Sequence, residues 1–198
     1  MPRKPSLNLR INRATAVNKL FFAMLIPFFL VACDNKDAPF GLKWSSDIDQ
    51  FPSKNLLTFN KIKLSEQEGM VYVTTVPKEE LGRGSYRFYF NHEKLYRIVF
   101  NTYDLSDDVA GSKAKNEYDR IKSILTERYG HPVNVTERVY SEAFRFVPCV
   151  TNSNCGSWSS SFSMKNTSAK ISIGMGLNED GYKKTSNSSR VMVEFKPN

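Results

Sequence analysis

Two histidines, several carboxylate pairs and three cysteines are the residues of this 198-residue chain with the most chemistry to offer. His92 stands beside Glu93 and Lys94 where an alternating apolar pattern breaks, so it is expected in a turn. His131 follows Gly130 at the end of a helical pattern, which makes it a helix-terminus residue. Neither has a companion at the spacing of an HExxH or GxSxG motif. Gly82-Arg83-Gly84-Ser85 precedes a strand pattern, whereas a phosphate-cradling loop must open a helix. Asp47/Asp49, Glu79-Glu80, Asp104/Asp107/Asp108 and Glu179/Asp180 could act as acid and base or gather calcium, yet all fall in loops or turns. The densest, Asp104-Leu105-Ser106-Asp107-Asp108, lacks the EF-hand order and is expected to be a solvated loop. The sequence thus points to no catalytic residue, no metal and no enzyme.

The charge has to be corrected before it is interpreted. Lys and Arg total 28 against 20 Asp and Glu, a formal +8. Residues 1–32 hold five of the basic residues and no acidic one, so the remainder carries only +3. Scattered over the chain, +3 makes no nucleic-acid stripe. The apolar run Leu20–Ala32 would span roughly 20 Å as a helix, short of the ~30 Å hydrocarbon core of a bilayer. A basic segment, a short apolar run and an abrupt polar boundary are the parts of an export signal.

Leu30-Val31-Ala32-Cys33 at the end of that run resembles the lipobox of bacterial lipoproteins. The resemblance covers about the first 35 residues. It implies that 1–32 is removed and that Cys33 becomes the mature N-terminus, carrying thioether-linked diacylglycerol and an N-acyl chain, with no other cofactor. Two or three acyl chains, at about 0.8 kcal/mol per buried methylene, make a firm anchor. Asp34-Asn35 resembles the signal that retains enterobacterial lipoproteins in the inner membrane, with the outer membrane as the alternative destination. With Cys33 lipidated, Cys149 and Cys155 remain, separated by a polar five-residue tip, and a disulfide is expected in an oxidising periplasm. No CxxC spacing supports a zinc or redox pair instead.

Residues 33–39 read as the lipidated cysteine and a tether, at most about 20 Å long, and 40–198 as one domain. Phe40, Leu42 and Trp44 suggest a docking segment, and 45–69 a loop with one short strand. Tyr86, Phe88 and Phe90, then Tyr96, Ile98 and Phe100, alternate on either side of Asn91-His92-Glu93-Lys94, predicting a hairpin with a four-residue turn and an aromatic face. Tyr118, Ile121, Ile124, Leu125 and Tyr129 recur at helical steps, predicting the one strong helix, capped by Ser112, ended by Gly130 and covering that face. Val133/Val135, Val139 to Phe146, Trp158 to Met164, Ile171 to Met175 and Val191 to Phe195 predict a C-terminal antiparallel meander. The expected fold is α+β, an antiparallel β-sheet backed by one main α-helix.

The function this implies is a membrane-anchored, non-enzymatic binding module of the periplasmic envelope, with an envelope protein as partner and no nucleic acid. An immunity or exclusion lipoprotein that neutralises an incoming effector is the alternative. Lys36, Lys43 and Lys54, near the tether, could lean on anionic headgroups, with ordinary solvated lysines as the equal alternative.

Overall fold

The computed structural model describes residues 36–51, 60–78, 81–140, 145–151, 155–176 and 188–198. Cys33, Asp34, Asn35, Lys54, Glu79-Glu80 and Glu179/Asp180 lie outside the described residues. In chain order the strands are β1 (Asp37–Ala38), β2 (Leu42–Lys43), β3 (Asn60–Lys63), β4 (Glu68–Val73), β5 (Gly84–Asn91) and β6 (Lys94–Thr102). Helix α1 (Ser112–Tyr129) follows, then β7 (Asn134–Val139), the short helix α2 (Phe146–Thr151), β8 (Gly156–Ser163), β9 (Thr167–Met175) and β10 (Ser189–Pro197). The fold is mainly antiparallel sheet with one main helix, in the α+β manner.

Eight strands form one sheet in the order β3-β4-β5-β6-β10-β9-β8-β7. Each half is a meander of strands joined in sequence, and both run antiparallel throughout. The last strand returns to the middle and joins the halves, with Phe100 opposite Val193 and Ile98 opposite Phe195. Period two places Tyr86, Phe88, Phe90, Ile98, Phe100, Ile171, Val193 and Phe195 on one buried face. Each large side chain there contributes on the order of 1.5–3 kcal/mol.

Local differences from the sequence pattern have local causes. The hairpin turn is two residues, His92 and Glu93, both at positive φ (46° and 64°), since Asn91 already pairs with Lys94. Such a turn matches the twist of the strands it joins. A bulge then gives β6 one extra residue, so Leu95 pairs with Phe90 and Arg97 with Tyr89. Tyr96 falls out of the alternation, and Leu95 takes the core position expected of it. Val139 ends β7 and Phe146, expected to end a strand, opens α2 instead, while residues 141–144 of that expected strand lie outside the described residues. Pro148 sits in the first turn of α2, where no N–H is needed, and Phe146, Val147 and Val150 are buried.

The cover of the sheet also differs from expectation. Helix α1 buries Ala114, Tyr118, Ile121 and Leu125 and packs on β8, β9 and β10, with α2 beside it on β7, β8 and β9. The aromatic face of β5 is covered by the strap 36–51. Phe40 packs edge-on to Tyr86 at 5.0 Å and to Phe195 at 5.6 Å, and Phe51 meets Phe88 at 4.7 Å. Backbone bonds pin the strap to the hairpin, from Ser45 N to Leu95 O, Leu95 N to Ser46 O and Ile48 N to Glu93 O. Trp44 Nε1 donates to Thr167 Oγ1 at 2.8 Å, tying the strap to β9 as well.

Candidate functional site

The residues singled out by type are kept apart. His92 and His131 are both exposed, at the hairpin turn and just past α1. Asp47 pairs with Lys94 at 2.6 Å and Asp49 with Lys61 at 3.0 Å, so that pair of carboxylates fastens the strap to neighbouring strands. Among the described residues no group of three or more His, Cys, Asp or Glu converges to hold a metal ion. Cys149, within α2, and Cys155, just before β8, form a disulfide that ties the helix to the strand that follows it.

Asp108 is not in a solvated loop. It is buried at 4 % exposure and accepts from the backbone N–H groups of Lys113 at 2.9 Å and Ala114 at 2.8 Å. Ser189 Oγ donates to it at 3.1 Å, linking the start of α1 to β10. A carboxylate at a helix N-terminus meets both unpaired donors and the favourable end of the dipole. The cap is therefore Asp108, with the chain turning through Gly111 at φ 76°, and Ser112 is the first helical residue with an exposed side chain.

A second polar cluster lies where α1 meets the outer strand β7. Tyr118 donates to Glu137 Oε1 at 2.8 Å, Ser160 Oγ sits 3.1 Å from the same oxygen, and Lys122 completes an ion pair with it. Burial alone would raise the Glu137 pKa, but the bonds from Lys122, Tyr118 and Ser160 outweigh it and hold the carboxyl below its ordinary value. Burial, and then the adjoining carboxylate, push the Tyr118 phenol well above the usual range against the opposing bond with Ser160. Every member is satisfied by another, so the cluster is a fastening between helix and edge strand.

The opposite face of the sheet is different in kind. Helices and strap lie on the inner face. The outer face carries Tyr72 from β4, Arg87 and Tyr89 from β5, Arg97 and Asn101 from β6, Arg190 and Glu194 from β10, and a row of serines from β8. Arg97 stacks on Tyr89 at 3.8 Å from the ring centroid and faces Glu194 at 3.6 Å, a carboxylate it shares with Lys196 at 3.2 Å, and its Nε has no hydrogen-bond partner. Asn101 is 2 % exposed, yet neither Oδ1 nor Nδ2 has a hydrogen-bond partner, and Arg190 Nε has none. The register puts Asn101 between Ser85 and Met192, with Arg87 and Arg190 on its two diagonals. Burial and the neighbouring Arg87 guanidinium lower the Arg190 pKa from the ordinary arginine value, against the pull of Asp104 and Tyr89. Two like charges thus lie close enough to repel one another, on strands flanking an amide with unused bonding capacity.

Near the first described residues, a cleft of about 570 Å3 lies between the strap and the turn before β9. Lys43, Lys78 and Lys165 line it, with Asp37 as the opposing charge. Of the lysines expected near the tether, Lys43 is on this wall, and Lys36 is the first described residue.

Sequence reasoning missed the outer-face constellation. Its members come from three strands, and the only local signal was that Arg87 and Arg97 occupy the polar half of an alternating pattern. Compared with protein families, with curated proteins and with solved structures, the chain gives no match.

Proposed function

We propose that this chain is a lipid-anchored binding module of the bacterial envelope, held through acylated Cys33 at the periplasmic face of the inner membrane and presenting its outer sheet face to an envelope protein. The observation that carries the binding role is the asymmetry of the sheet. One face is sealed by two helices and the strap, and the other displays arginines, tyrosines and a buried amide with no partner. The anchor rests on Leu30-Val31-Ala32-Cys33. From Cys33 to Asp37 the chain reaches at most about 14 Å, so the cleft lysines lie within reach of headgroups. Each lysine near an anionic surface contributes up to about 1 kcal/mol.

The anchor is tested by labelling with palmitate, which should enter the wild type and not Cys33→Ala. Equal labelling of both defeats it. The binding role is tested in cells by a photoreactive residue at Tyr72 on the outer face and, separately, at Glu127 on the exposed side of α1. Adducts are expected from Tyr72 and not from Glu127. The reverse pattern, or none from Tyr72, refutes the reading. Should the adduct prove to be an incoming toxin, and expression protect a sensitive cell, the role is immunity.

A further inference from the structure

The outer-face pair Arg87 and Arg190 is short of anions. Among the described residues neither makes a hydrogen bond or ion pair of its own, whereas Arg97, on the neighbouring strand β6, faces Glu194 at 3.6 Å and stacks on Tyr89, although Glu194 is shared with Lys196. Asp104 lies within electrostatic range of Arg190 and supplies one negative charge against two positive. Asn101 adds a second requirement. Its amide has one unused acceptor and unused donors, whichever way the group is turned, so the occupant must both accept and donate hydrogen bonds. Phosphate at neutral pH mainly accepts. A peptide segment bearing an acidic side chain does both, because its carboxylate meets the guanidiniums and its backbone N–H and C=O meet the amide.

We infer that Arg87, Arg190 and Asn101 form a binding subsite for an acidic segment of a protein partner, with the two arginines as a clamp on the carboxylate and Asn101 as the floor that reads the peptide backbone. The inference rests on the binding role proposed above. The atoms of Asn101 are covered in the free protein, so reaching them requires the neighbouring side chains, the guanidiniums of Arg87 and Arg190 included, to move as the carboxylate enters. Their mutual repulsion eases that movement, and the bound anion removes the repulsion. Removing either arginine loses a charge-assisted bond and should weaken binding about ten-fold or more.

The test uses the full lipidated chain in detergent micelles, titrated separately with acetyl-Ala-Glu-Ala-amide, its glutamine counterpart and inorganic phosphate. Arginine Nε–H and asparagine amide signals are followed by NMR. The glutamate peptide should bind saturably, moving the signals of Arg87, Arg190 and Asn101, and the glutamine peptide should bind at least about ten-fold more weakly. Arg87→Gln and Arg190→Gln should each lose that preference, while Arg97→Gln, whose guanidinium is already engaged with Glu194 and Tyr89, should keep it. Asn101→Ser should weaken both peptides alike. Equal affinity for the two peptides, shifts confined to other arginines, or phosphate bound as tightly as the glutamate peptide overturns the inference. The two proposals separate in cells. Absence of any Tyr72 adduct refutes the binding role, whereas an adduct that survives Arg87→Gln with Arg190→Gln refutes this subsite alone.

Discussion

Replacing Asp108 by Ala removes the acceptor for two backbone donors at once, Lys113 N at 2.9 Å and Ala114 N at 2.8 Å. An N-cap is worth about 1 kcal/mol. Ala114 is fully buried, so water cannot readily replace the lost partner, and a stranded buried donor costs about 1–3 kcal/mol more. Ser189, also fully buried, loses its acceptor in the same change. The expected loss is about 3 kcal/mol, a large share of the roughly 5–15 kcal/mol that holds a domain folded. Urea unfolding followed by far-ultraviolet circular dichroism should show the midpoint falling by about 1–2 M at an unchanged slope. Heating should show a midpoint lower by about 6–12 °C. Asp108→Asn, which keeps one acceptor, should lose about half as much. Ser112→Ala should cost less than about 0.5 kcal/mol, because that side chain is exposed outside the cap. If Asp108→Ala costs nothing measurable while Ser112→Ala costs about 1 kcal/mol, α1 is capped as the sequence alone suggests and the reasoning fails.

Three further outcomes follow from the same geometry. The folded-state pKa of Glu137 is lowered, so its contribution is complete above the ordinary value of 4.5 and is lost as pH falls through the folded value. The stability difference between wild type and Glu137→Gln should therefore hold steady above the ordinary value and shrink as pH falls below it, and a constant difference would count against the cluster. Gly111→Ala places a Cβ at φ 76° and 1.8 Å from Phe146 Cδ1, so a loss of about 3 kcal/mol or failure to fold is expected, read by the same urea titration. Reducing the Cys149–Cys155 bond should lower stability by about 2 kcal/mol, measured as the urea midpoint with and without reductant, and an unchanged midpoint would show the loop to be ordered without it.

Much of the strand content was legible because period two is a local property. Tyr86, Phe88 and Phe90 announce β5, and Val191, Val193 and Phe195 announce β10, without reference to any partner. Helix α1 was legible for the same reason at period 3.6. Asp108 was misread because its polarity suggests solvent, and only the return of β10 beside the helix start buries it. α2 was misread because its few apolar residues are too short a run to separate helix from strand. Tyr96 was misread because a bulge changes register without leaving a mark in composition. Of the candidate site, the sequence carried only the arginines on the polar side of their strands. Asn101 between Arg87 and Arg190 is a product of register across β5, β6 and β10.

The sequence by itself determined most of the strands and the main helix, and that Cys149 and Cys155 are close enough along the chain to join. Those features depend on residues within a few positions of one another. Tertiary structure alone decided which strands are neighbours, that the strap 36–51 covers the β5 aromatic face, and that among the described residues both helices and the strap lie on the same face of the sheet. These depend on contacts between residues far apart in sequence, such as Phe40 with Phe195 and Trp44 with Thr167. Hydrophobic burial drives such contacts without direction, and any apolar segment could have met that need. The pairing of β6 with β10 selects one arrangement among them, and it is what places two unmatched arginines on either side of one buried amide.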